Sequence, residues 1–149
     1  MYYKNKQIGT ALLLTMSIVA CFISLIAIDN NEAIWPVFII LGLVSFLFHS
    51  LNIKVNNSEI NWSFGPGFWR NSLEIGTVND VRQIKTKWYY GLGIRYIGAG
   101  WLYTVSGTTA IQLTLKDGSK INLGTNDPDN LVKAIQLQLT ANQKKNSSF

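Results

Sequence analysis

The chain of 149 residues has the length of one compact domain with small appendages. Its residues are 48% hydrophobic and only 14% charged, against about a quarter charged in soluble domains, and this apolar, aromatic richness excludes intrinsic disorder. The net charge is +5, and a single Cys and a single His exclude both a disulfide framework and a metal site built from several thiolates or imidazoles.

The scarcity of charge is local. Ile8 to Ile28 contains no charged residue and consists mostly of Leu, Ile, Val, Ala and Phe, which meets the roughly 20 residues a helix needs to cross a bilayer. A second uncharged run extends from Ala33 to Leu51. Asp29-Asn30-Asn31-Glu32 lies between them as a polar turn suited to two antiparallel helices. Pro36 falls in the first turn of the second helix, where its missing N–H costs little. The expectation is a two-helix transmembrane hairpin over residues 8–51, with spans 8–28 and 33–51. A cleaved signal peptide fits less well, because the apolar stretch exceeds the usual ~7–15 residues and no small-residue cleavage pattern closes it.

Lys4 and Lys6 precede the first span, the turn carries only Asp29 and Glu32, and Lys54 follows the second span. This asymmetry predicts both termini in the cytoplasm, with residues 1–7 as a short cytoplasmic N-terminus. Tyr2 and Tyr3 then belong at the inner interface and Trp35 at the outer one. His49 reads as a polar anchor at the inner end of the second span, since no other ionisable group lies within the spans to relay a proton. Thr10, Ser17 and Ser24 recur every seven residues, with Ala20, Cys21 and Ala27 beside them. Such a stripe of small residues suits packing against Gly42 and Ser45, or association between copies. Cys21 is then a packing residue and not a reactive thiol.

Residues 52–149 carry 11 Lys and Arg against 6 Asp and Glu, so the basic character belongs here. Their pattern is one of short strands. Leu51, Ile53 and Val55 alternate with polar neighbours, Asn56-Asn57 supplies a turn, and Ile60, Trp62 and Phe64 alternate with Glu59, Asn61 and Ser63. Gly65-Pro66-Gly67 breaks the chain before a strand at Phe68–Glu74. Further strands are expected at Val81–Thr86, at Ile94–Tyr103 with glycine interruptions, at Thr109–Leu115, and at Lys120–Leu123 after the turn Lys116-Asp117-Gly118-Ser119. The period changes at Asp127-Pro128-Asp129, a helix start with Asp at the N-cap. Leu131, Ala134, Ile135 and Leu139 follow at helical spacing, with Lys144 and Lys145 near the C-terminal end. The expectation is a domain over residues 52–143 of about seven antiparallel strands and a closing helix, followed by a frayed tail at residues 144–149.

Gly93-Ile94-Arg95-Tyr96, Gly100-Trp101-Leu102-Tyr103-Thr104-Val105-Ser106-Gly107, Leu115-Lys116-Asp117-Gly118 and Gly124-Thr125-Asn126-Asp127-Pro128 together resemble bacterial membrane proteins with a pleckstrin-homology-like (PH-like) domain. The resemblance implies a PH-like sandwich or barrel behind two membrane spans, in a bacterial cytoplasmic membrane, as a multi-pass protein. It implies no shared catalytic residues and no cofactor. Eukaryotic PH domains often bind phosphoinositides through a basic first hairpin, whereas the stretch at Leu51–Phe64 holds only Lys54, beside Glu59.

Chemistry finds few candidates. His49 beside Ser50 has no nucleophile-elbow sequence around it. Gly93 to Gly98 has glycine spacing like that of a phosphate loop, but Ala99-Gly100 stands where Lys and Ser or Thr would touch phosphate and Mg²⁺. Asp127 and Asp129 are explained by helix capping without a metal. One cluster stands out: Lys85, Lys87, Trp88, Tyr89, Tyr90, Arg95 and Tyr96 pack three cations and four large aromatics into a dozen residues. Two readings compete. Either the aromatics fill the core while the cations point to solvent, or the segment is an interfacial loop with aromatics at headgroup depth and cations on anionic lipid. The sequence therefore predicts a non-enzymatic membrane-anchored domain that binds a protein partner or the inner-leaflet surface. A lipid-headgroup receptor, or a non-catalytic accessory subunit of a membrane enzyme or transporter, is the alternative. The expected partners are the bilayer, anionic lipids or a membrane protein, with nucleic acid ranked last.

Overall fold

Tyr3, Asn5 and Gln7 alternate with Lys4, Lys6 and Ile8, the period of a half-buried strand, and Tyr3–Ile8 is strand β1. This computed structural model describes residues 3–30 and 33–148. β1 pairs antiparallel with β2 (Ser50–Val55), from Tyr3 opposite Val55 to Ile8 opposite Ser50. The N-terminal segment expected as a tail thus supplies a strand of the β domain. Two lysines ahead of an apolar run read equally well as charges flanking a span, which hid the strand.

Between β1 and β2 the described residues form two helices. α1 (Thr10–Asn30) lies beside α2 (Trp35–Phe48), which carries Pro36 in its first turn. By length and composition α1 can cross a membrane, whereas α2 is a shorter apolar helix of 14 residues. Ile8 therefore belongs to β1, and Ser50 and Leu51 to β2, instead of to spans. Asp29 and Asn30 end α1; Tyr2, expected at the inner interface, and Asn31 and Glu32 of the expected turn lie outside the described residues. The Gly9 N–H donates to the His49 carbonyl at 2.7 Å, so the chain leaves the sheet and rejoins it at adjacent points. His49 closes α2, its Nδ1 donating to the Phe46 carbonyl at 2.6 Å. Ser17 and Ala20 line, with Gly42 and Ser45, a cavity of about 330 Å³ where close packing was expected. Cys21 is exposed and not packed; Thr10 leaves the stripe for the Ser106 hydroxyl, 3.3 Å away.

β3 (Glu59–Phe64) and β4 (Phe68–Glu74) continue the first sheet in chain order, β1-β2-β3-β4. The second sheet contains β5 (Val78–Lys85), β6 (Gly93–Tyr96), β7 (Trp101–Thr104), β8 (Thr109–Leu115) and β9 (Lys120–Gly124), in the spatial order β5-β8-β9-β7-β6. Among the described residues nine strands replace the expected seven or so, because β1 is added and Ile97–Gly100 divides the glycine-rich stretch into β6 and β7. The sheets are also not wholly antiparallel. β8 crosses over to pair with β5, and its hairpin partner β9 returns parallel to β7. The turn between β8 and β9 is held by Asp117, whose Oδ1 accepts from the Ser119 N–H and hydroxyl at 2.8 and 2.6 Å, contacts that hold its carboxyl below the usual range.

The two sheets bury one core between them: Leu51, Ile53, Val55, Ile60, Trp62 and Phe64 from the first, and Val78, Val81, Ile111, Leu113 and Leu123 from the second. α3 (Pro128–Asn146) closes it with Leu131 and Ile135, packing on β5 and β8. Helix continues through Lys144, Lys145 and Asn146, where a frayed tail was expected; cations in the last turn suit the carbonyl end of the dipole. Asp127 stands at the N-cap, but its carboxylate does not cap the backbone. It accepts instead from the Asn130 side chain at 2.9 Å and from the Tyr3 hydroxyl at 3.1 Å. Burial, and the Asp127 charge beside it, push the Tyr3 phenol up to about 12, against an opposing donation from Asn5.

That contact fastens β1 to α3. Tyr3→Phe is expected to cost about 1 kcal/mol at neutral pH, the net worth of one hydrogen bond. The fold favours the neutral phenol, so its contribution is complete below the unfolded value of 10 and is lost as pH rises toward 12. The variant is expected to show a shallower alkaline decline, which thermal melts at neutral pH and at about pH 11 would check.

Candidate membrane-contact surface

The end of the β domain that meets the helices is defined by backbone contacts. Besides the Gly9–His49 bond, the Gln7 side-chain Nε2 donates to the Ser106 carbonyl at 2.9 Å, and Gly65 (φ +52) lies against the Leu47 carbonyl, where any Cβ would collide. The β3–β4 turn and the loop after β7 therefore sit at the helix end. The segment between β5 and β6 sits there too, because Thr86 donates to the Thr108 carbonyl at 2.7 Å and Gly93 pairs with Thr104.

Most of the sequence cluster falls on this segment. Lys85 ends β5 opposite Thr109. Trp88, Tyr89 and Tyr90 form a 3-10 turn closed by Gly91 at φ +72. Trp88 is 84% exposed and Tyr89 57% exposed, their rings edge-to-face with centroids 6.1 Å apart, while Tyr90 is half-buried. Lys87 Nζ lies 5.4 Å from the Tyr89 ring centroid, and a hydrogen bond with Tyr89 raises its pKa above the ordinary lysine value. The Arg95 guanidinium folds back against Gly91. Tyr96 is not part of this group. It pairs with Trp101 at the far end of β6, three residue pairs or about 10 Å away, and is 64% exposed. The core reading of these aromatics fails for Trp88, Tyr89 and Tyr96, which are exposed, whereas Trp62 and Phe64 lie in the core with Tyr103 packed against them.

Sequence reasoning missed a second feature. A groove of about 620 Å³ lies along the first sheet, lined by Lys4 and Lys6 of β1, Lys54 of β2, Arg70 of β4 and a polar floor that includes Asn52, Asn61 and Ser63. Lys4 opposes Lys54 and Lys6 opposes Asn52, so the three lysines share one face. No carboxylate lines the groove among the described residues. Its floor is the outward set of alternating residues whose inward set builds the core. The signal that could have found it is the period of two at Lys4 and Lys6. The groove reaches the helix end at Gly65-Pro66-Gly67, where the Arg70 Nε donates to the Gly67 carbonyl at 2.9 Å.

No protein-family model, no curated protein and no solved structure matches the chain.

Proposed function

We propose that this chain is a non-catalytic, membrane-anchored protein whose PH-like β domain engages the inner-leaflet surface of a bacterial cytoplasmic membrane. In this reading α1 and α2 both cross the bilayer and both termini are cytoplasmic. Support comes from the helices: α2 buries none of its described side chains, and the apolar window of α1 is 6% buried. Two such faces in water would be an aggregation surface. The observation that carries the reading is the exposed turn Trp88–Tyr90, with Lys85, Lys87 and the Arg95 guanidinium around it, at the end of the domain from which the helices leave. Aromatic rings with polar edges favour headgroup depth, and cations favour an anionic leaflet.

Hydrogen exchange on the full chain in lipid nanodiscs tests this. Amides of residues 86–92 are expected to exchange more slowly in discs containing phosphatidylglycerol than in purely zwitterionic discs. Lys85→Ala with Lys87→Ala is expected to remove the difference. Equal exchange in both discs would count against the surface contact.

The groove favours a second reading, a lipid-headgroup receptor. Four cations with no acid among them are complementary to phosphate oxygens. The hairpin in which the sequence counts only Lys54 acquires Lys4 and Lys6 once β1 is laid beside it.

A further inference from the structure

The start of β4, just after the β3–β4 turn, carries the one non-glycine residue with left-handed backbone among the described residues, Trp69 at φ +49. A bulky side chain is strained in that conformation, and strain of this kind persists where the surrounding structure imposes it. Here Trp69 sits in a β-bulge, where it and Arg70 together oppose Ser63 of β3, and the end of α2 lies against it. The Phe48 ring, last in the helix, lies 5.1 Å from Phe64 and 6.0 Å from Phe68, and Phe68 lies 6.1 Å from Trp69. The series begins in the core and ends in solvent, with Phe68 39% and Trp69 54% exposed. It thus prolongs the apolar surface of α2 beyond its last turn.

α2 is short enough to need prolonging. Its 14 residues span about 21 Å at 1.5 Å per residue, against a hydrocarbon core of about 30 Å. The 21 residues of α1 span about 32 Å by the same rise. A helix pair with one member about 9 Å short draws whatever is fixed to the short end toward the bilayer, or thins the bilayer to meet it. What is fixed there is the Gly65-Pro66-Gly67 turn, held by the Gly65 N–H bond to the Ser50 carbonyl at 2.8 Å.

We propose that Phe68 and Trp69 form a second membrane-seated wedge, which sinks the β3–β4 turn into the inner leaflet beneath α2 and completes the short span, with Arg70 reaching back to headgroup depth. The occupant of this surface is the lipid bilayer. The proposal rests on the reading in which α2 crosses the membrane, and it adds a contact independent of the Lys85–Tyr96 segment. A long cation beside a buried aromatic is the arrangement that lets a charged head remain in the headgroup layer.

The test uses the full chain in nanodiscs whose phosphatidylcholine is brominated high on the acyl chains, a short-range quencher of indole emission. Wild type, Trp69→Phe, Trp69→Tyr and Trp88→Phe are compared with bromolipid and with acrylamide. Both Trp69 variants are expected to lose a bromolipid-quenched share of the emission. If the emission they lose is quenched by acrylamide and not by bromolipid, Trp69 faces water and the wedge is overturned. If it is quenched by neither, Trp69 is covered by protein, which also overturns the proposal. Trp88→Phe separates the two surfaces: loss of bromolipid-quenched emission in the Trp69 variants but not in Trp88→Phe would remove the Trp88 contact and leave the wedge standing, and the reverse pattern would do the opposite.

Discussion

A chain in which residues 9–49 are replaced by Asn-Gly is expected to fold as a soluble β domain, whereas residues 52–143 alone are expected not to. Ile8 and Ser50 are directly opposed at the end of the β1–β2 ladder, so a two-residue turn suits the gap left by the helices. The shorter fragment lacks all of β1, and with it the Tyr3 bond to Asp127 and the Gln7 bond to Ser106. It also lacks Leu51, which is fully buried. Six residues of strand pairing at about 0.5–1.5 kcal/mol per hydrogen bond, and about 2 kcal/mol for a buried leucine, together rival the ~5–15 kcal/mol that holds a small domain folded. Far-UV circular dichroism and limited proteolysis distinguish the outcomes. Equal folding of the two chains would mean that β1 is dispensable to the domain.

The rejoined domain is also the reagent for the groove. Lys4→Ala, Lys6→Ala, Lys54→Ala and Arg70→Ala together are expected to weaken its binding to anionic vesicles by about 4 kcal/mol, roughly a thousandfold, at ~1 kcal/mol per cation near a charged surface. The melting temperature is expected to hold or rise, because like charges facing one groove repel when it is empty. Alanines at Lys116, Lys120, Lys133 and Lys144 remove the same charge elsewhere. A loss of equal size in that control would reduce the groove to diffuse attraction. Competition by inorganic phosphate, in vesicle-free solution and against vesicles, separates a free anion from a lipid headgroup as the source of the phosphate.

Much of the β domain was legible because alternation is a local property. Ile60, Trp62 and Phe64 had to share a face wherever their strand lay, and Asp117-Gly118 had to turn. The same holds for the apolar character of α1 and the start of α3 at Pro128. Other features depend on partners distant in sequence. Lys4 and Lys6 are the same residues in a free tail or in a strand, and only pairing with Ser50–Val55 makes them part of a sheet. The aromatics at Trp88–Tyr96 have no period that assigns them to a core, and the fold leaves Trp88, Tyr89 and Tyr96 exposed while Trp62 and Phe64 are buried between the sheets.

By itself, then, the sequence determined one apolar helix long enough for a bilayer, a strand-rich body with a closing helix, and the placing of basic charge in that body. The tertiary structure alone decided that the helices are inserted between two paired strands, and that Lys4, Lys6, Lys54 and Arg70 share a groove. It also decided that Phe68 and Trp69 extend from the end of α2. The physical reason is range. Periodicity and turn chemistry act over a few neighbouring residues, while a groove or an aromatic ledge exists only after segments distant in sequence have been fastened together by contacts such as the hydrogen bond from Gly9 to His49.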